Sequence, residues 1–182
     1  MTNGFVRAAT SSDAQTMTTV ALASWPHVGD AIEPAEMTQQ WQSLLAQPTG
    51  ITALVATDMD VVVGWLLLMA DTQSATGEQT DTPGSVFEIA DVVVHPHHRR
   101  RGHGSRLMNA AADIAFADGC TVRAWCPLDD ETRRAFLIAH GLQPDGAWRD
   151  LVADSGDTIR EVRLVAGVDA RTNHEHSTEG TV

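Results

Sequence analysis

The chain has 182 residues, 43% of them hydrophobic, enough for one sizeable core, and we expect a single domain over 1–166 followed by a disordered polar tail over 167–182. Its 24 acidic residues outnumber 12 basic ones, all arginine, and the formal net charge of -12 argues against nucleic-acid or anionic-membrane partners and for a cationic one. The longest apolar stretch, 61–70, is too short to span a bilayer, Met1-Thr2-Asn3-Gly4 lacks a secretory pattern, and Cys120 and Cys126 form no CxxC pair. A cytoplasmic protein with free thiols is expected.

In chain order, Ser12 with Gln15 reads as a capping box opening a first helix, with Met17, Val20, Ala21 and Trp25 on one face. A second helix starts near Pro34, with Met37, Trp41, Leu44 and Leu45 as its apolar face, and ends at Pro48-Thr49-Gly50. The stretches 51–57 and 61–69 are β-branched and apolar, and Asp58-Met59-Asp60 between them reads as a hairpin turn. The polar interval 71–85 reads as a long hairpin insertion or a flap over the acceptor.

Glu88 lies near the start of the next strand, which Val92, Val93 and Val94 end and His95-Pro96 stops. Fourteen positions on, Arg99-Arg100-Arg101-Gly102-His103-Gly104 leads into a helix over 105–117, its apolar side Leu107, Ala111, Ile114 and Ala115. The first N–H groups of a helix have no intrahelical partner and sit at the positive end of its dipole. Glycines let an anion approach that backbone, and Arg99, Arg100, Arg101 and Arg106 can add charge-assisted hydrogen bonds, so a pyrophosphate fits here. A strand carboxylate and a glycine-rich helix start thus combine a general base with an anion cradle.

Gly119 stops that helix, Thr121 to Cys126 reads as a strand parallel to the one before it, and Asp129 or Asp130 caps a further helix through Ala135, Phe136, Ile138 and Ala139. A terminal hairpin follows over 142–165. His95, His97, His98 and His103 lie close in sequence, but no carboxylate or cysteine joins them locally, and no metal is expected.

The stretch Val94-His95-Pro96-His97-His98-Arg99-Arg100-Arg101-Gly102-His103-Gly104 resembles the V-x-P-x-x-R/Q-x-x-G-x-G/A signature of the GNAT superfamily of acetyl-CoA-dependent N-acetyltransferases. The resemblance implies an α/β fold of the α+β type. Its central mixed sheet would have six to seven strands, mostly antiparallel with a parallel pair at the cofactor site, flanked by about four helices. Val6-Arg7-Ala8-Ala9 is similar to the family's first strand and Glu161-Val162-Arg163-Leu164-Val165 to its last.

The same resemblance implies acetyl-CoA as cosubstrate and a primary amine of a small molecule, peptide or protein as acceptor. Val92, Val93 and Val94 would pair with the pantetheine arm through their backbone, one N–H polarising the acetyl carbonyl, and Arg99, Arg100, Arg101, Gly102, His103, Gly104, Ser105 and Asp130 complete the expected cofactor contacts. Glu88 matches the glutamate of histone-type members and would act as general base, because an alkyl amine with a pKa of about 10 must lose a proton before attack. The first two helices would cover the acceptor, which makes Trp25 and Trp41 candidates for its wall. The protein is expected as a monomer or homodimer. It departs from the family where a tyrosine protonates the leaving thiolate: Leu137 stands there, and the chain contains no tyrosine. An acyl-CoA-binding sensor or structural module of the same fold is the alternative, and a protein-interaction module without coenzyme binding a third class.

Overall fold

The alternating and helical periods become seven strands and four α-helices among the described residues: β1 (Val6–Ala8), α1 (Ala14–Ser24), α2 (Pro34–Ala46), β2 (Ile51–Asp58), β3 (Val61–Asp71), β4 (Val86–Val94), α3 (His103–Ala117), β5 (Thr121–Pro127), α4 (Glu131–Ala139), β6 (Gln143–Val152) and β7 (Thr158–Ala166). The computed structural model describes residues 4–25, 32–47, 49–71, 86–152, 156 and 158–166. The interval 72–85 and the tail 167–182, expected as an insertion and a disordered end, lie outside them. The strands form a mixed sheet in the order β1-β2-β3-β4-β5-β7-β6, with β4 and β5 as its parallel pair, as the fold class requires. The described residues fall into two compact units, one within 1–70 and 89–114 and the other within 71–88 and 115–182.

In the first unit β1 pairs antiparallel with β2, Arg7 opposite Val55, and β2 with β3, Val55 opposite Trp65. The turn between β2 and β3 is made by Met59 and Asp60, with φ of 49° and 67°. Two successive left-handed residues match the right-handed twist of a hairpin and set the pairs next to the turn, Asp58 with Val61 and Thr57 with Val62, before the register shifts between Ala56 and Thr57. Met17, Val20 and Ala21 of α1, Met37 of α2, Val55 and Trp65 form one buried cluster with Val93. Burial stabilises each large side chain by about 1.5–3 kcal/mol. Trp25 and Trp41 pack edge-on against Trp65, ring centroids 5.7 and 5.1 Å away, so both belong to the margin of this core.

The entry to α1 differs from the sequence expectation. A 3-10 turn, Ser11–Asp13, precedes the helix, and Thr10 with Asp13, not Ser12 with Gln15, makes the reciprocal cap. Asp13 accepts the Thr10 N–H at 2.8 Å and both guanidinium nitrogens of Arg7 at 2.7 Å. Sequence spacing favoured Gln15 because glutamine suits the third position of a capping box, but the carboxylate with an arginine in reach wins.

In the second unit β7 lies between β5 and β6, with Ala124 opposite Leu164 and Trp148 opposite Val162. Ala124, Cys126, Leu137, Leu142 and Leu164 are buried. The helix α4 runs where the sequence places it; Leu137 is its buried residue, and Ile138 is 38% exposed. Ala135, Phe136, Ile138 and Ala139 are apolar by composition, yet a nine-residue helix buries only the stripe that its cap sets.

Candidate active site

Strand β4 and the loop after it carry most of the predicted residues. Ile89 and Val93 are buried on one side of the strand, so Ala90, Val92 and Val94 fall on the other by the two-residue period. The His95 N–H donates to the Val63 carbonyl at 2.9 Å, and a Cβ on Gly64 would lie 2.8 Å from the Val93 carbonyl. Only glycine allows that approach, which presses β4 against β3 up to its last residue. The Val92 N–H donates to its neighbour Asp91 Oδ1 at 2.7 Å, while the Val94 carbonyl accepts from Arg99 Nε at 3.0 Å and Ser24 Oγ at 3.4 Å. Two of the backbone groups expected to meet a pantetheine arm therefore have intramolecular partners that a ligand would replace.

Pro96–His98 form one 3-10 turn, and the chain then reaches α3 through two left-handed residues, Arg100 at φ 62° and Gly102 at φ 81°. The Arg106 N–H donates to the Gly102 carbonyl at 3.0 Å, the first rung of the helix. The N–H groups of His103, Gly104 and Ser105 come before that rung, at the positive end of the dipole. A Cβ built on Gly102 meets nothing within 4 Å, so the cradle opens where an anion would enter. Residues 102–105 are thus brought together as expected.

The side chains nearby are arranged differently from the sequence expectation. Arg99 turns back to Val94, and Arg106 Nη2 lies 2.9 Å from His103 Nδ1. His103 is 1% exposed, so its contribution to an anion is its backbone N–H and not its ring. Burial, followed by the charge of Arg106, lowers its pKa below the usual histidine value. His95 is lowered too, by burial first and then by His97, His98 and Arg99. Arg100 and Arg101 remain exposed.

Asp58, at the β2 end of the hairpin, was not singled out in the sequence. It is 4% exposed, and its Oδ2 lies 3.4 Å from His98 Nδ1, 3.8 Å from His103 Nε2 and 3.7 Å from Arg101 Nη1. Nothing local in the sequence marks it, because 40 or more positions separate it from the histidines.

Two predicted residues lie in the second unit. Glu88 Oε2 accepts from Arg123 Nε at 2.8 Å, with the two side chains 20% and 18% exposed. Residue type alone could not name this partner, since any of several arginines could have met the carboxylate. Asp130 caps α4, its Oδ1 accepting the Arg133 N–H at 2.8 Å. Leu137, at the family's tyrosine position, is fully buried. Cys126 is also fully buried, and burial pushes its thiol pKa up, as suits a bystander.

The comparisons agree with this fold. The sequence profile of the acetyltransferase (GNAT) family matches residues 15–141. A mycothiol acetyltransferase of Cellulomonas flavigena is 36% identical over 83 residues, 44% of this chain, and the match spans only 24% of that longer protein. Among solved structures, yncA of Salmonella typhimurium, determined with its cofactor acetyl-CoA, aligns with TM-score 0.65 at 17% identity over 98% of this chain and 99% of its own. NAA60 of Arabidopsis thaliana, in complex with a bisubstrate analogue, aligns with TM-score 0.69 at 13% identity over 90% of this chain and 97% of its own. The open glycine cradle and the unladdered N–H groups at the start of α3 suit the diphosphate of coenzyme A. With its profile matched over more than two thirds of its length, the chain belongs to the acetyltransferase (GNAT) family.

Proposed function

We propose that the protein is an N-acetyltransferase that acts on a primary amine, with Glu88 taking the proton of the attacking nitrogen. The observation that carries this reading is the glycine-opened helix start that follows β4. Bound acetyl-CoA supplies a thioester whose acyl group needs no covalent stage on the protein. The N–H groups of His103, Gly104 and Ser105 hold the diphosphate, and Arg100 and Arg101 are exposed beside them to add charge. A β4 backbone N–H aimed at the carbonyl oxygen would stabilise the developing oxyanion, and the Val92 N–H serves once it exchanges Asp91 for that oxygen.

Glu88 is held through Oε2 by Arg123. That pair orients the carboxylate, which takes the amine proton directly or through a water. An acceptor amine arrives as a cation, and the net charge of -12 favours its approach.

One observation favours a second reading, a catalytically degenerate acyl-CoA sensor: the residue at the tyrosine position is Leu137, fully buried and without a proton to give. The thiol of coenzyme A, with a pKa of about 8.5, can nevertheless leave as thiolate. Release of free thiol from acetyl-CoA across a panel of primary amines separates the two. Amine-dependent release supports the transferase, and tight acetyl-CoA binding without release supports the sensor.

A further inference from the structure

We propose that Asp58, His98 and His103 form a binding site for a divalent transition-metal ion of the zinc class, one that clasps the β2–β3 turn to the loop entering α3. The candidate ligand atoms all lie within 4.8 Å of one another. Asp58 Oδ2 is 3.4 Å from His98 Nδ1 and 3.8 Å from His103 Nε2. Neither contact is a hydrogen bond: Asp58 Oδ1, His98 Nδ1 and His103 Nε2 are buried atoms without a hydrogen-bond partner among the described residues. Leaving such atoms unpaired costs about 1–3 kcal/mol each, which a fold does not retain three times at one point without something to satisfy them.

The spacing identifies what satisfies them. Two ligands on one tetrahedral zinc ion, with bonds of about 2.0–2.1 Å, stand about 3.3 Å apart. Contacts of 3.4 and 3.8 Å are loose for hydrogen bonds and close to that edge length. Two imidazoles and one carboxylate are a borderline donor set that prefers zinc to magnesium or calcium. Three protein ligands leave a fourth position for water or an anion oxygen.

Two arginines face the same cluster. Arg101 Nη1 is 3.7 Å from Asp58 Oδ2, on a side chain 53% exposed that can turn to solvent. Arg106 Nη2 points at His103 Nδ1, and a guanidinium only donates, so in that arrangement the ring proton is on Nε2. Coordination through Nε2 moves the proton to Nδ1, and Arg106 must then release the ring. An acceptor at position 106 would serve the metal-bound ring better than a donor does.

The test is titration of the full-length chain, dialysed free of metal, with zinc in competition with a chromophoric chelator. It is run on a His174→Ala, His176→Ala background so that these two histidines add nothing. We expect one equivalent bound, a rise in Tm that a chelator reverses, and with cobalt(II) the visible bands of a four-coordinate nitrogen and oxygen site without thiolate charge transfer. His98→Ala, at a partly exposed position, should weaken binding by about a hundredfold or more, Asp58→Asn likewise, and Arg106→Gln should tighten it. Absence of stoichiometric binding, binding that survives His98→Ala, or weaker binding in Arg106→Gln would overturn the assignment.

Discussion

At the residue scale, the contact that bears most on chemistry is Glu88 with Arg123. If the carboxylate relays the amine proton, Glu88→Gln keeps the strand and its hydrogen bonding but loses the base. Steady-state kinetics should show turnover lower by about 10²–10³-fold with the dissociation constant for acetyl-CoA nearly unchanged, and equal turnover would remove the role. Gly102 offers a second test of a different kind. Its φ of 81° is a conformation an L-residue reaches at a cost of about 1–2 kcal/mol, and a side chain there meets no neighbour. Gly102→Ala should therefore lower Tm by about 2–8 °C through backbone strain alone, as a thermal scan would reveal. Residue types were legible only in part. Glycine at 102 and glutamate at 88 stand out by chemistry and spacing, whereas Asp58 and Arg123 acquire meaning from partners 35 or more positions away, which no local pattern encodes.

Elements were easier to read because period and punctuation are local. The Pro34 start of α2, the Asp58-Met59-Asp60 turn and the Pro96 stop of β4 all follow from restricted backbone geometry, and the structure has them there. The opening of α1 was missed because two overlapping polar triplets compete for the cap, and the nearby Arg7 decides between them. That cap has a pH signature. Hydrogen bonds from Arg7, and then from Thr10, overcome desolvation and hold the Asp13 carboxyl down to about 2. Its folded value is below the unfolded one of about 3.9, so its stabilising contribution is complete above about pH 4 and is lost as pH falls toward 2. Asp13→Asn should cost about 1–3 kcal/mol at neutral pH and flatten the acid limb of stability between pH 4 and 2, measured by urea denaturation across that range.

The whole molecule is dominated by its charge. With a net charge of -12 and a Debye length of about 8 Å at physiological ionic strength, attraction for a cationic acceptor is long-ranged only in dilute salt. For any cationic acceptor the panel identifies, kcat/KM should fall several-fold between low and physiological salt, while a neutral acceptor should show almost no change. Parallel initial-rate series would show it. The absence of lysine bears on the acceptor proposed above: the chain presents no side-chain amine of its own to compete with it. The family and its sheet were recognisable from one loop signature, yet the acceptor is not, because acceptor walls are assembled from side chains of separate elements whose types repeat elsewhere as ordinary core. Trp25 and Trp41 illustrate this, since both were plausible cage residues and both pack on Trp65.

Cys120 and Cys126, 7% and 0% exposed, are the chain's two sulfhydryls. Chromogenic disulfide reagents reach such atoms only when the polypeptide opens. Native protein should thus give a flat baseline against which liberated coenzyme can be followed continuously, and a slow colour rise without donor would report unfolding on the same trace.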